Sequence, residues 1–155
     1  MSIKIVMVCL GNICRSPLAE GILASKLPAD QFIVHSAGTG NWHIGNSPDK
    51  RSIDIAKKNG IDISNQKAAH FTSAFFENYD YIFVMDRSNH KNVTVLATQS
   101  SHHEKVFYML DSLFPDEKAE VPDPYFDDLK AFEEVFNLLD KSCSILAKKL
   151  IEKHL

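Results

Sequence analysis

The stretch Val8-Cys9-Leu10-Gly11-Asn12-Ile13-Cys14-Arg15-Ser16-Pro17 places a thiol and a guanidinium with five residues between them, after an apolar run and before a proline. A loop this short, closing onto a helix N-terminus, can turn its amide N–H groups inward as a cradle for an anion. Gly11 and Asn12 are residue types that tolerate the left-handed conformations such a loop needs. Pro17 falls in the first turn of a helix, where its missing N–H costs nothing. Arg15 can bond two oxygens of a phosphate at once. Cys9 would then sit beneath the bound phosphorus. The loop amides, the helix dipole and Arg15 all favour its thiolate form. Ser16 can donate a hydrogen bond to that sulfur and help it depart in a second step. This is the equipment for nucleophilic displacement at phosphorus through a covalent intermediate.

Thiolate attack expels an oxygen that needs a proton, and a positioned carboxylic acid contributes roughly 10²–10⁴-fold to such a step. The same group, once ionised, can activate the water that releases the phosphate. Asp123, held between Pro122 and Pro124, is one candidate, and Asp116, Asp127 and Asp128 are others. The residues alone leave open an ordinary turn, because Asp-Pro is common turn punctuation.

The surrounding elements alternate between strand and helix signals, the pattern of an α/β domain with a parallel sheet. Ile3 to Val8 is a near-continuous apolar run, which suits a strand buried on both faces. Ser16 to Leu27 reads as a helix with Leu18, Ile22 and Leu23 inward. Phe32 to Ala37 is a second strand. Ser47 to Asn59 is a second helix stopped by Gly60. Tyr79 to Met85 is a third strand, Arg87 to Thr98 a helix and Lys105 to Met109 a fourth strand. Leu129, Phe132, Phe136, Leu139, Cys143, Leu146 and Leu150 recur at spacings of three and four, the stripe of a long amphipathic helix. Crossovers on both sides of the first strand predict a small doubly wound sheet, which binds ligands at the carboxyl ends of its strands.

Composition narrows the function classes. The 155 residues make one domain, 1–155, of ordinary globular make-up, with 45% hydrophobic and 24% charged residues. A formal charge of −3 gives no broad footprint for nucleic acid. No apolar run approaches the roughly 18–20 residues of a membrane span, and the apolar start is too brief for a signal peptide. Three cysteines are too few and too odd in number for a disulfide framework, which points to a reducing cytoplasm. His102 and His103 lack a third ligand nearby and read as a polar loop rather than a metal site. Cys143 lies in the apolar stripe of the last helix and reads as core.

The segment Cys9-Leu10-Gly11-Asn12-Ile13-Cys14-Arg15-Ser16 resembles the signature of the low-molecular-weight protein tyrosine phosphatases. Ser36-Ala37-Gly38-Thr39, Trp42-His43-Ile44-Gly45-Asn46, Met85-Asp86 with Ser88-Asn89, and Asp123-Pro124-Tyr125 resemble further segments of that family. The resemblance implies a four-stranded parallel sheet flanked by helices, in a flavodoxin-like fold. It implies hydrolysis of phosphotyrosine through phospho-Cys9, with no metal or other cofactor. It assigns Asp123 as the general acid beside Cys9 and Arg15. It places Leu10, Gly11, Asn12, Ile13, Cys14 and Ser16 around the phosphate, and Trp42 and Tyr125 at the mouth of a pocket deep enough to exclude phosphoserine. Isoleucine at position 13 favours phosphotyrosine, since relatives acting on phosphoarginine tend to carry a smaller polar residue there. The resemblance also implies that Asn12 shapes the loop through a network including Ser36. The histidine that often joins that network is missing, with His70 out of register. Cys14 is implied as a reversible disulfide partner of Cys9, which would protect the nucleophile from irreversible oxidation. The expected partners are phosphotyrosine-containing proteins or peptides and free oxyanions, and the expected state is a monomer.

Three other functions compete. An arsenate reductase of the same fold needs a relay of three cysteines, and none stands between Cys14 and Cys143. A phosphoarginine phosphatase is disfavoured by Ile13. A catalytically silent phosphotyrosine-binding module would keep Arg15 and lose Cys9 or Asp123, yet both are present.

Overall fold

The computed structural model describes residues 2–155. β1 (Ile3–Cys9) leads through α1 (Arg15–Lys26) to β2 (Phe32–Gly38), and α2 (Lys50–Lys58) follows. After α3 (Phe75–Asn78) come β3 (Tyr81–Val84), α4 (Arg87–Thr94), α5 (Ser100–His103) and β4 (Val106–Tyr108). A 3₁₀ turn (Met109–Ser112) and α6 (Leu129–His154) complete the chain. The four strands are parallel in the order β2-β1-β3-β4. The strand order reverses beside β1, so the carboxyl ends of β1 and β3 open the crevice where such sheets bind ligands.

The period-2 geometry of β1 divides the interior into two cores. Ile5, Met7 and Cys9 face a layer formed by Leu18, Ile22 and Leu23 of α1, Ala56 of α2, and Phe136, Leu139 and Leu146 of α6. Val6 and Val8 face the opposite layer, with Phe76 of α3 and Val93 of α4. Each large apolar side chain buried here contributes roughly 1.5–3 kcal/mol. The reactive end of β1 is therefore anchored on both sides.

Several boundaries differ from the sequence reading. α2 starts at Lys50 rather than Ser47, because Asp49 caps it by accepting from the Arg51 amide. It ends as expected at Gly60, whose φ of +80° suits glycine. The helix expected to reach Thr98 stops at Thr94, where the β-branched residues Val93, Thr94 and Val95 cluster. Both later strands are shorter than expected at each end. Leu129 does not share the buried stripe of α6: it is the first residue of the helix and 63% exposed. The reading of His102-His103 as a polar loop is corrected. Both lie on α5, and His102 is only 5% exposed, stacked 4.6 Å from the Phe76 ring and bonded through Nε2 to Glu77.

Ser36 departs from the expected loop network. Its hydroxyl donates to Glu20 Oε1 at 2.6 Å, tying β2 to α1. Burial pushes the Glu20 carboxyl up to about 7 from an ordinary 4.5, with the Ser36 hydrogen bond partly offsetting it. The folded protein thus holds this proton more tightly than the unfolded chain. The stability contribution is complete below pH 4.5 and is lost as pH rises through about 7. A shift of this size corresponds to a few kcal/mol, on the order of 3. Glu20→Gln should therefore gain stability relative to wild type as pH rises from 4.5 to 8. Urea unfolding across that range checks this; parallel curves for the two proteins would refute it.

Candidate active site

The crevice at the carboxyl end of β1 contains a cavity of about 200 Å³. Cys9, Leu10, Gly11, Ile13, Cys14 and Arg15 line it from the β1–α1 loop. Trp42 and His43 come from the segment after β2, and Asp123, Tyr125 and Phe126 from the segment before α6. Residues more than a hundred positions apart in sequence thus share one cavity.

The loop's polar groups divide by role. Its carbonyls are engaged from outside. Cys9 O accepts from Thr39 N, Leu10 O from Gly40 N and Ile13 O from Asp49 N, at 2.7–2.9 Å. Among the described residues, the amides of Leu10 to Cys14 donate to no protein acceptor. Five consecutive free donors beside the N-terminus of α1 are the arrangement that can hold an anion. The expectation of two left-handed residues is corrected to one. Asn12 has φ +58°, whereas Gly11 keeps a negative-side backbone. Asn12 holds this conformation by accepting from Ala69 N at 2.9 Å through Oδ1 and donating from Nδ2 to Ser16 Oγ at 2.7 Å. Ala69 thus supplies with its backbone what Ser36 was expected to supply with its side chain. His70 lies nearby and contacts Gly40 O through Nδ1 at 3.2 Å.

Ser16 Oγ stands 3.0 Å from Cys9 Sγ. Because that oxygen accepts from Asn12, its own proton is free to point at the sulfur. Asn12 and Ser16 are both buried under the loop and are absent from the cavity lining. Gly38 matters for space. A Cβ there would come within 2.7 Å of Leu10 O and 3.1 Å of Asn12 N, so only glycine lets β2 lie against the loop.

Arg15 is only 3% exposed. Its Nη1 donates to Asp86 Oδ2 at 2.7 Å and to Val121 O at 3.0 Å. Burial works against its charge, but Cys9, Asp86 and Asp123 more than offset this and raise its pKa. Nε and Nη2 make no protein hydrogen bond among the described residues, which leaves two donors for a ligand. Asp86 also caps α4, accepting from Asn89 N at 2.8 Å through its other oxygen. Asp123 Oδ1 accepts from Tyr125 N at 3.0 Å, and Oδ2 lies 3.7 Å from Arg15 Nη2. Burial, then the negative charges of Asp49, Cys9 and Asp123, push the Cys14 thiol up to about 12. All three cysteines are free thiols.

The motif segments and the general sheet rule brought most of this together. Residue types did not reveal the positions of Phe126 and Arg51, and His43 was quoted only within a motif segment. Asp86 was quoted within a motif, but its pairing with Arg15 was not. Arg51 bridges the two halves of the site. It is paired with Asp49 at 2.9 Å, donates to Tyr125 O at 2.9 Å and Asp127 O at 3.2 Å, and lies over the Phe132 ring at 4.4 Å. The one available signal was its place two residues after the helix-capping Asp49.

The family model for low molecular weight phosphotyrosine protein phosphatase matches residues 4–155. The chain belongs to that family. A phosphatase of this name from Schizosaccharomyces pombe is 38% identical over 151 residues, covering 94% of this chain and 96% of the relative. Among solved structures, the protein tyrosine phosphatase of Entamoeba histolytica with Hepes in the active site superposes with a TM-score of 0.91. It is 35% identical and spans 99% of this chain and all of that one. The tyrosine phosphatase Wzb from Escherichia coli K30 in complex with sulphate superposes with a TM-score of 0.83. It is 32% identical, spanning 97% and 99% of the two chains. These likenesses cover the whole low molecular weight phosphatase fold, and they do not favour the arsenate reductase, phosphoarginine or silent-module readings.

Arg51 makes the acid-bearing segment of this phosphatase dependent on α2. Arg51→Ala should lower kcat about tenfold on an aryl phosphate, with a smaller change in KM, because Asp123 is less well held while the phosphate loop stays intact. Steady-state kinetics check this; a KM effect alone would show that Arg51 acts on binding instead.

Proposed function

We propose that this protein hydrolyses phosphotyrosine in proteins or peptides through a phospho-Cys9 intermediate. The observation that carries the reading is the convergence of Cys9, Arg15 and Asp123 on one cavity, with a hydroxyl 3.0 Å from the sulfur. The phosphate seats on the amides of Leu10 to Cys14 and on the free edge of Arg15. Cys9 attacks phosphorus, and negative charge gathered on the equatorial oxygens meets donors already in place. Asp123 enters with its proton and delivers it to the tyrosine oxygen. Its carboxylate then takes a proton from the water that attacks phospho-Cys9. Ser16 stabilises the departing sulfur by donating its hydroxyl proton across the 3.0 Å to Sγ. Gly11 and Ile13 shape the floor around the phosphate.

Specificity follows from the walls. Trp42 and Tyr125 flank the mouth, and aromatic faces there contribute about 0.5–1.5 kcal/mol to a phenyl ring beyond area burial. Phosphoserine is too short to span from this rim to the loop. Cys14 is the proposed redox partner of Cys9. Its raised pKa keeps it a thiol near neutral pH, so disulfide closure would be slow without strong oxidant. We further assign the protein to a reducing cytoplasm, as a monomer. No helix among the described residues is long and apolar enough to cross a membrane.

The test is phosphate release from a phosphotyrosine peptide with a chelator present. Cys9→Ser and Arg15→Ala should each abolish turnover. Asp123→Asn should slow it by about 10²–10³-fold, and less on an ester whose leaving group is already good. Phosphoserine and phosphoarginine should be poor substrates. Wild-type rates in Asp123→Asn on phosphotyrosine would remove Asp123 from the mechanism. Tight phosphotyrosine binding without turnover would instead identify a binding module.

A further inference from the structure

A second groove, of about 340 Å³, lies directly behind the wall of the candidate active site. The two cavities share Leu10 and Trp42, which form the ridge between them. Behind the ridge the groove is completed by Thr39 and Gly40, by His70 and Phe71, by Asn92 of α4 and by Leu96 just beyond it. Its volume falls within the roughly 300–1,000 Å³ of small ligand sites.

We propose that this groove binds an apolar side chain immediately flanking the phosphotyrosine of a peptide substrate; the proposal rests on the phosphatase reading above. Three observations carry it. The first is continuity. The two cavities open on either side of the Leu10–Trp42 ridge, so an extended main chain running along it, with successive side chains on opposite faces, sends one into each. The second is chemistry. None of the groove's lining residues is Asp, Glu, Lys or Arg. A charged flanking side chain would therefore lose water beside no permanently charged partner. Leu96, Leu10 and Trp42, at 38%, 40% and 68% exposed, are among the few large apolar side chains left open to solvent.

The third is the seating of the ridge. A Cβ on Gly40 would fall within 2.0 Å of the Trp42 ring, so the indole lies directly on the Gly40 backbone. Trp42 is thus a supported partition despite its exposure. His70 Nδ1 is already engaged by Gly40 O, which keeps the imidazole at the back of the groove. Asn92 is exposed and leaves its amide for the peptide main chain.

The test uses phosphotyrosine peptides that differ only in the residues on either side: glycine on both, leucine before, leucine after, or aspartate on both. Phenyl phosphate, which cannot reach the groove, serves as the reference substrate. Wild type should favour one of the leucine peptides over the glycine peptide by about tenfold in kcat/KM, the scale of one largely buried leucine. The aspartate peptide should be the poorest. Leu96→Asp should erase the leucine preference to within about twofold and leave phenyl phosphate turnover unchanged. Leu96→Ala should weaken the preference in part.

Equal rates on all peptides in wild type would overturn the subsite. A leucine preference that survives Leu96→Asp would overturn it as well. A loss on phenyl phosphate as large as that on the peptides would make Leu96 structural, and the proposal would fall. No turnover of any substrate by wild type would sink the phosphatase reading, and this proposal with it.

Discussion

A buried guanidinium organises this molecule. Arg15 sits at the start of α1 almost wholly out of water, and a cation there is tolerated only when its hydrogen bonds are met. Asp86, from the end of β3, and Val121 O, from the segment before α6, meet them on one edge. Each partner also holds something else. Asp86 caps α4, and Val121 N donates to Met85 O, fastening the acid-bearing segment to the end of β3. One buried charge thus draws two distant segments onto the β1–α1 loop and leaves its other edge toward the cavity.

The loop itself is shaped from below and behind. Asn12 is held in its left-handed conformation by Ala69 and Ser16, and Gly38 lets β2 press against the loop backbone without a side chain between them. With the carbonyls of Cys9, Leu10 and Ile13 engaged from outside, the free amides are what the loop offers to an anion. Preorganised donors of this kind act on a developing charge without reorganising during the reaction. Ser16 belongs to the same arrangement: its oxygen accepts from Asn12, which leaves its proton free for the sulfur 3.0 Å away. The mouth is built by different rules. Trp42 rests on Gly40, and Tyr125 is fixed by Arg51 at its carbonyl and by Asp123 at its amide, so an exposed rim still has defined walls.

Much of the fold was legible because burial leaves a periodic trace. The apolar run of β1, the stripe of α6 and the Gly60 stop all reappear near their expected places. The misreadings fall where tertiary partners replaced local propensity. Asp49, through its own cap, shortens α2. His102 looks polar by type, yet Phe76 and Glu77 bury and satisfy it. Ser36 stands where a loop-supporting hydroxyl was expected, but the Glu20 carboxyl, one turn along α1 from Ser16, takes its hydrogen bond.

The sequence by itself determined the parallel α/β arrangement and the order Cys9, Arg15, Ser16 at a strand's carboxyl end. These depend on short-range periodicity and on neighbours within one loop, so their residue types carry the information directly. Tertiary structure alone decided which carboxylate pairs with Arg15 and which is left holding a proton near neutrality. Asp86, Asp123 and Glu20 are all acids, but their roles differ by depth and by partner. Asp86 grips the guanidinium, Asp123 reaches the cavity rim, and Glu20 is pushed up to about 7 by burial beside a single hydroxyl. Those differences arise from desolvation and distances across the folded sheet, which no spacing along the chain encodes.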